Sequence, residues 1–371
     1  MAIPAPNKVW VQLTNACNVN CVHCLPESRY CRPDELTNDQ ILAIIDDCAA
    51  LGTRWISFTG GEPLLHRGLD HFLKRASSHG MRVHIETSAS ILDRNRLADL
   101  KKCGLSILGL SLDGDAMIHD RIRGVPQLYG KVISALQDAY DLDIRARIFC
   151  VVTRDNHEVA KRLPLILQAE LAQKLSIVDV LLYGYLTPFG RATALMSLNP
   201  RQWIAFCDAI DILRSEFKGE LDIKCERAFI KPGEVDEYQR RIPTDIFCMA
   251  RGRDWIYVSS DGRVYGCVTL VGSDASLGDV KSDALSKIWL ESVEWKFFDP
   301  LPVVHEHGSC GGGCPAFAYR AHGERGHSDE RCTDAGQELL PICPLAQFPQ
   351  LEPWPYERTA VRYVNGVVVR S

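Results

Sequence analysis

The amino-acid sequence predicts an α/β fold: a parallel sheet wrapped by helices over the first 220 residues, then a small cysteine-rich α+β region. Short apolar runs, amphipathic segments between them and a change of pattern after about residue 220 predict it. The runs are VWVQL (9–13), WISF (55–58), VHIET (83–87), SILGLSL (106–112), RARIFCVV (145–152) and IVDVLLY (177–183). Their apolar residues are continuous rather than alternating, as when both faces of a parallel sheet are covered.

The first helix has the clearest boundaries. Thr37 and Gln40 form a capping box, Ile41, Ile44, Ile45 and Cys48 make one apolar face, and Gly52 stops it. Further helices are predicted near 67–79, 93–103, 129–140, 158–171 and 199–217. Parallel neighbours need helical crossovers, so six strand–helix units follow. Eight would close a full barrel. Six leave an open or partial one, whose active face lies at the strand carboxyl ends.

After residue 220, RDWIYVSSDGRVYGCVTL reads as a hairpin turning at Asp261-Gly262. DALSKIWLES (283–292) reads as one short helix, and RYVNGVVV near the end as a hairpin with an Asn-Gly turn. Residues 305–343 are rich in glycine, histidine and cysteine with little periodicity. So small a core needs a staple that clustered thiols could bind. The expected division is 7–220, 221–345 and a tail at 346–371.

Composition narrows the function. With 46% hydrophobic and 24% charged residues, the chain is neither disordered nor fibrous. A net charge of -5 argues against nucleic acid as partner. No apolar run is long enough to span a bilayer, and MAIPAPNKVW lacks the basic and apolar regions of an export signal. A cytoplasmic protein with no membrane partner is expected.

In a reducing compartment, fifteen cysteines point to metal ligands or catalytic thiols rather than disulfides. Cys48, Cys103, Cys150 and Cys207 sit singly among apolar residues and read as small buried hydrophobes. The others concentrate in 17–31 and 225–343.

Cys17, Cys21 and Cys24 form a CxxxCxxC just after the first strand. Structural zinc takes four ligands, usually as two close pairs, whereas only three cysteines meet here. Three thiolates suit a 4Fe–4S cluster with one iron left for another ligand. Cys31, seven residues on, reads as incidental. Thr59-Gly60-Gly61-Glu62-Pro63 ends the second strand. Its paired glycines permit close backbone approach and Pro63 fixes the turn. Both motifs fall on βα loops and therefore share a rim.

On these two motifs the sequence resembles the radical SAM superfamily. The resemblance implies a partial (β/α)6 TIM-like barrel and Cys17, Cys21 and Cys24 as ligands of a 4Fe–4S cluster. S-adenosylmethionine (SAM) would chelate the open iron. It further implies that His23 lies beside the adenine and that Gly60, Gly61, Glu62 and Pro63 form the turn holding the SAM amino end. Ser111 in Ser111-Leu112-Asp113-Gly114 is an expected ribose contact. Ser88 is another, although Thr87-Ser88-Ala89 stands where relatives often have Thr-Asn-Gly. A strand-five arginine, Arg147 or Arg145, would meet the SAM carboxylate.

Cys248, Cys267, Cys310, Cys314, Cys332 and Cys343 form the third constellation. A hairpin and a glycine-rich loop could bring four thiolates together, for zinc as much as for iron and sulfide. Beside a radical SAM barrel, GRVYGC…IW…CGGGCPA resembles the SPASM/twitch extension with one or two auxiliary Fe–S clusters. Two full clusters need about eight cysteines. Six are present, with Cys225 a possible seventh. One complete cluster on Cys248, Cys267, Cys310 and Cys314 is therefore expected, with Cys332 and Cys343 at a second, incomplete site or as replacement ligands. His305, His307 and Asp329 are candidate non-cysteine ligands.

The resemblance implies reductive cleavage of SAM to a 5′-deoxyadenosyl radical that abstracts a substrate hydrogen. An auxiliary cluster would accept the remaining electron, favouring net oxidation. SLDG…HDRIRG (111–124) and CGGGCPA resemble peptide-modifying members, so maturation of a ribosomally made peptide is the leading expectation. Oxidation or epimerisation of a sugar or aminocyclitol is the alternative, and a non-enzymatic iron–sulfur or zinc scaffold a third. Only about six residues precede the barrel, so a separate carrier protein would present any leader peptide. Flavodoxin or ferredoxin would donate electrons. Asp179, Tyr183 and Tyr185 near the end of the sixth strand are candidates to face the cavity. Tyr319 and His322 follow the cysteine loop, and no catalytic acid or base is assigned.

Overall fold

The computed structural model describes residues 3–217, 220–234, 237, 248–300, 304–305, 308–309, 312–331, 339–343, 360–364 and 367–370. The six predicted strands are present as Lys8–Gln12 (β1), Trp55–Thr59 (β2), Arg82–Thr87 (β3), Leu105–Ser111 (β4), Arg145–Val152 (β5) and Val178–Tyr185 (β6). Each pairs in parallel with the next.

The sheet continues past both ends of that run. Asp222–Cys225 (β7) pairs in parallel with β6, and Trp255–Val258 (β8) in parallel with β1. Arg263–Tyr265 (β9) and Gly278–Asp279 (β10) then extend the β8 edge antiparallel, giving one ten-stranded α/β sheet among the described residues. The predicted hairpin is therefore β8–β9, with Gly262 at φ 94° in its turn. It builds onto the barrel sheet rather than standing apart.

Helix α1 (Asn38–Leu51) carries the predicted capping box, and Gly52 closes it at φ 89°. Helices α2 (Leu69–Ser78) and α3 (Arg94–Lys102) follow. Helix α4 (Ala116–Arg123) was not expected. Asp115 caps it through the Ile118 N–H, and Gly124 ends it at φ 68°. Helix α5 (Leu128–Asp141) precedes β5. The single helix expected at 158–171 is two, α6 (His157–Ala160) and α7 (Leu163–Leu171). Pro164 is tolerated only in a first turn, so α7 starts there. Helix α8 is Pro200–Glu216.

Strand alternation splits the residues between two environments. Val9, Val11, Ile56, Phe58, Val83, Ile85, Leu108 and Leu110 pack outward beneath the helices. Lys8, Trp10, His84, Glu86, Arg147 and Phe149 turn inward and line a cavity. Cys48, Cys103, Cys150 and Cys207 are buried, as their apolar surroundings predict. Cys225, weighed as a seventh auxiliary thiol, lies on β7 with its sulfur 3.0 Å from that of Cys207 on α8.

The predicted carboxyl-terminal hairpin pairs Ala360–Val364 with Val367–Arg370, and Ile3–Pro4 joins as its third strand. Trp289 in α9 (Leu285–Glu291) donates its indole N–H to the Pro4 carbonyl at 3.1 Å.

Glu226, just beyond β7, is buried, with one oxygen accepting the Tyr185 N–H at 2.9 Å and the other unpartnered. Burial pushes its carboxyl up to about 8. The folded state thus holds a proton that the unfolded chain releases above its usual range near 4.5. That contribution is full below this range and is lost as pH rises towards 8. Unfolding free energy, measured with urea, should fall across this window in the wild type, and Glu226→Gln should flatten the slope.

Candidate active site

The carboxyl end of β1 runs into the three-cysteine loop, and the end of β2 into the glycine turn. Parallel pairing places the two side by side. The turn then closes on the loop: Gly61 donates to the Thr14 carbonyl and Glu62 to the Ala16 carbonyl, both at 2.8 Å. A Cβ on Gly61 would lie 2.2 Å from the Ala16 oxygen, and one on Gly60 2.9 Å from the Thr14 oxygen. The close approach that requires these glycines is therefore to the loop's own backbone, while both still line the cavity.

Glu62 is fully buried and ties this corner together. Its carboxylate accepts from the Thr87 hydroxyl at 2.6 Å, the Ser88 hydroxyl at 2.6 Å, the Ser88 N–H at 3.0 Å and the Leu64 N–H at 3.2 Å. Burial outweighs these donors and raises its carboxyl above the usual range. Ser88 is thus committed to Glu62 and to Ser90, which donates to Asn18 in the cysteine loop at 2.9 Å. Pro63 opens a short turn behind the glycines.

Cys17, Cys21 and Cys24 are half-buried and line the cavity. Burial pushes the Cys17 thiol up to about 11 and raises Cys24. Ligation by a cation would reverse both shifts, because metal ligands bind as thiolates. His23 is buried beside them with Nδ1 unpartnered, and burial lowers it to about 4, so it is neutral. Among the described residues no three His, Cys, Asp or Glu side chains close on a single-ion cage.

Two arginines not singled out by the sequence complete the mouth, one of them held by the buried Asp113. Arg123, at the end of α4, donates to the Cys21 sulfur at 3.5 Å and to Asp113 at 2.6 Å. Arg191 donates to the carbonyls of Cys21 at 2.8 Å and Ser28 at 3.1 Å. Their only local signals were the α4 caps and the Ser111-Leu112-Asp113-Gly114 motif; Arg191 carried none.

Ser111 lines the cavity, and so does Arg147 rather than Arg145. Arg147 is paired with Asp179 at 3.0 Å and lies over Trp55 at 5.3 Å. Arg145 is half-exposed and also meets Asp179, at 2.9 Å. Tyr183 and Tyr185 do not face the cavity. They pack outward on Phe206 and Trp203, and Val180 and Leu182 face in instead. A continuous apolar run hides its own alternation, which explains that miss. Tyr319 packs on Phe297, and His322 stacks on His327 at 4.3 Å.

Cys267 lines the same cavity with Gly266 and Val268, because β8 and β9 extend the barrel sheet beside β1. Cys248 and Cys314 are buried within electrostatic reach of it and of each other. Burial pushes the Cys314 thiol up to about 12 and raises Cys248 and Cys267. Asp329 is engaged elsewhere, holding Arg331 at 2.6 Å and the Cys314 N–H at 3.0 Å. Cys343 is buried, while Cys310, Cys332, His307 and the His305 side chain lie outside what is described. The cavity measures about 400 Å³ and runs from Cys17, Cys21 and Cys24 to Cys267.

The radical SAM superfamily model matches residues 11–161, and that of an iron–sulfur cluster-binding domain, SPASM, matches residues 248–315. The chain belongs to the radical SAM superfamily and carries a SPASM domain. Its cofactors are accordingly 4Fe–4S clusters and SAM.

An AdoMet-dependent heme synthase of Methanosarcina barkeri is 26% identical over 347 residues, covering 88% of this chain and 96% of the relative. A PqqA peptide cyclase of Rhodopseudomonas palustris is 27% identical over 345 residues, covering 88% of this chain and 86% of the relative. The solved structure of Streptococcus suis SuiB bound to precursor peptide SuiA superposes with TM-score 0.72 at 15% identity, over 89% of this chain and 76% of SuiB. At that identity the last shows a shared fold. No described helix is long and apolar enough to cross a membrane.

Gly61→Ala tests the backbone approach. Overpacking of this kind costs about 1–3 kcal/mol, and here it pushes the Ala16 carbonyl away. Urea unfolding should show that loss, and iron retained after anaerobic reconstitution should fall below that of the wild type. Wild-type iron content in the variant would refute the role.

Proposed function

We propose that this protein modifies a ribosomally made peptide in natural-product biosynthesis, by oxidative crosslinking or dehydrogenation or by redox-neutral epimerisation. The observation that carries the reading is one cavity bounded by both thiol sets, Cys17, Cys21 and Cys24 together with Cys267. A substrate between them sits beside a radical source and an electron acceptor together.

Cys17, Cys21 and Cys24 hold the SAM-binding cluster, and His23, Gly60, Gly61, Ser88 and Ser111 surround the nucleotide, with Glu62 and Pro63 bracing the turn. The unpartnered Nδ1 of neutral His23 and the bare glycine wall fit such a ligand. Bound there, the pair supplies a 5′-deoxyadenosyl radical that takes a hydrogen atom from a substrate C–H bond. Cys248, Cys267 and Cys314, with Cys310, would hold an auxiliary cluster able to take up an electron, and Cys332 and Cys343 would serve a second site. Arg147, the third residue of β5 and so below the rim, is held by Asp179 and is assigned to the substrate in place of the expected SAM carboxylate. Domain limits of 7–220, 221–345 and 346–371 serve as working boundaries, although β7 and β8 cross the first of them. Flavodoxin or ferredoxin in the cytoplasm supplies the electron, and a separate carrier presents the leader peptide.

Cavity size favours a peptide side chain. About 400 Å³ is near the lower end of small-molecule sites. With a nucleotide on the rim, the remaining space accepts a substrate side chain. A second reading, oxidation of a carboxylate-bearing tetrapyrrole, is favoured by the heme synthase likeness over 96% of that relative.

One experiment separates the two. The anaerobically reconstituted protein, at about eight irons per chain if two cubanes fill, is given SAM, dithionite and one of two probes. The first is a fully deuterated peptide encoded beside the gene, and the second is deuterated iron coproporphyrin. Deuterium in 5′-deoxyadenosine from the peptide supports the main reading, and deuterium from the tetrapyrrole alone replaces it with the second. Failure of the protein to cleave SAM at all would refute both.

A further inference from the structure

Helix α4 docks end-on against the cysteine loop. Its last turn receives two loop amides, Val22 N–H on the Ile122 carbonyl at 3.0 Å and Asn20 N–H on the Arg123 carbonyl at 3.2 Å. A Cβ on the next residue, Gly124, would lie 3.0 Å from the Asn20 oxygen, so the fit is tight. From this docked end the Arg123 guanidinium reaches Cys21, with one N–H 3.5 Å from the sulfur.

The guanidinium is held in place from behind. Its Nε donates to Asp113 at 2.6 Å, and Asp113 is fully buried. The other Asp113 oxygen accepts the Val151 N–H at 3.2 Å, and the Asp113 N–H donates to His119 Nδ1 at 3.1 Å. Asn156 donates to the Asp113 carbonyl at 2.9 Å. Each backbone and carboxylate group of Asp113 is thus fixed, so Arg123 has one orientation. The charged and titratable groups facing it are Asp113, His119, His23, Cys21 and Cys150.

We infer that Arg123 is a positioning residue that hydrogen-bonds the Cys21 ligand sulfur and raises the reduction potential of the SAM-binding cluster, with Asp113 setting its direction. This rests on the proposed ligand role of Cys21. Hydrogen bonds to ligand sulfurs and nearby charge set such potentials. Reduction adds an electron, and an N–H donor beside the sulfur stabilises the added negative charge. Burial strengthens the interaction, since little water competes at this wall.

The test uses the reconstituted full-length protein without substrate. The midpoint of the SAM-binding cluster is followed by paramagnetic resonance during a dithionite-mediated redox titration. Arg123→Gln should move the midpoint to a more negative potential by about a tenfold change in the reduction equilibrium, which for one electron is about 59 mV. Arg123→Lys, which keeps a cationic donor, should recover most of the shift. SAM cleavage driven by reduced flavodoxin should slow in Arg123→Gln by about the same tenfold and recover with an excess of titanium(III) citrate. Iron and sulfide counts and a thermal melt show whether each variant is folded and loaded; if Arg123→Gln is not, Arg123→Lys and Asp113→Asn are titrated in its place. An unmoved midpoint in every loaded variant overturns the inference, as does a loss confined to SAM affinity. A wild type that binds no cluster instead removes the ligand role of Cys21, a separate and distinguishable failure.

Discussion

The structure depends on one pairing: Trp255–Val258 lies parallel to Lys8–Gln12, with Trp255 opposite Lys8 and Val258 opposite Val11. These strands are more than two hundred residues apart in sequence, yet they share one sheet and one direction. Their carboxyl ends therefore reach the same rim. The first strand runs into the loop of Cys17, Cys21 and Cys24, and the hairpin after the other carries Cys267. Without this pairing the two thiol sets would belong to separate bodies, and a single cavity could not touch both.

The pairing is reinforced where the second region meets the loops of the first. Gln12 accepts the Ser260 N–H, the Ser260 carbonyl accepts from Leu36, and Arg32 pairs with Asp261 at 3.2 Å. Trp10 meets Trp255 edge-on at 4.5 Å at the cavity wall. The fixed geometry matters for chemistry. Radical transfer depends on reacting atoms held at contact, and positioning is the main contribution a protein makes beside such cofactors.

Electrostatics at the rim follow one rule. Among the described residues, buried charges there are paired or held by several donors, as Glu62 is by four, and the buried His23, without a partner at Nδ1, is neutral. Asp113 with Arg123 and Asp329 with Arg331 illustrate the first case. His23, lowered by burial, illustrates the second. An unpaired buried charge would cost several kcal/mol, so the cations around Cys21 persist only because carboxylates and carbonyls already hold them.

Much of this was legible in the chain. Local physics determined it: continuous apolar runs gave six parallel strands, the Thr37–Gln40 box gave α1, and cysteine spacing gave the three-thiol loop. The paired glycines were visible too, although their reason was not, since nothing local says that Gly61 touches Ala16 rather than a ligand. Tertiary structure alone decided the rest. It chose Arg147 over Arg145, turned Tyr183 and Tyr185 away from the cavity, recruited β7 and β8 into the sheet, and brought Arg123 and Arg191 to Cys21. Each of these depends on contacts between residues distant in sequence. Spacing encodes which residues share a helix face or a loop, whereas sheet register and helix docking encode which loops meet.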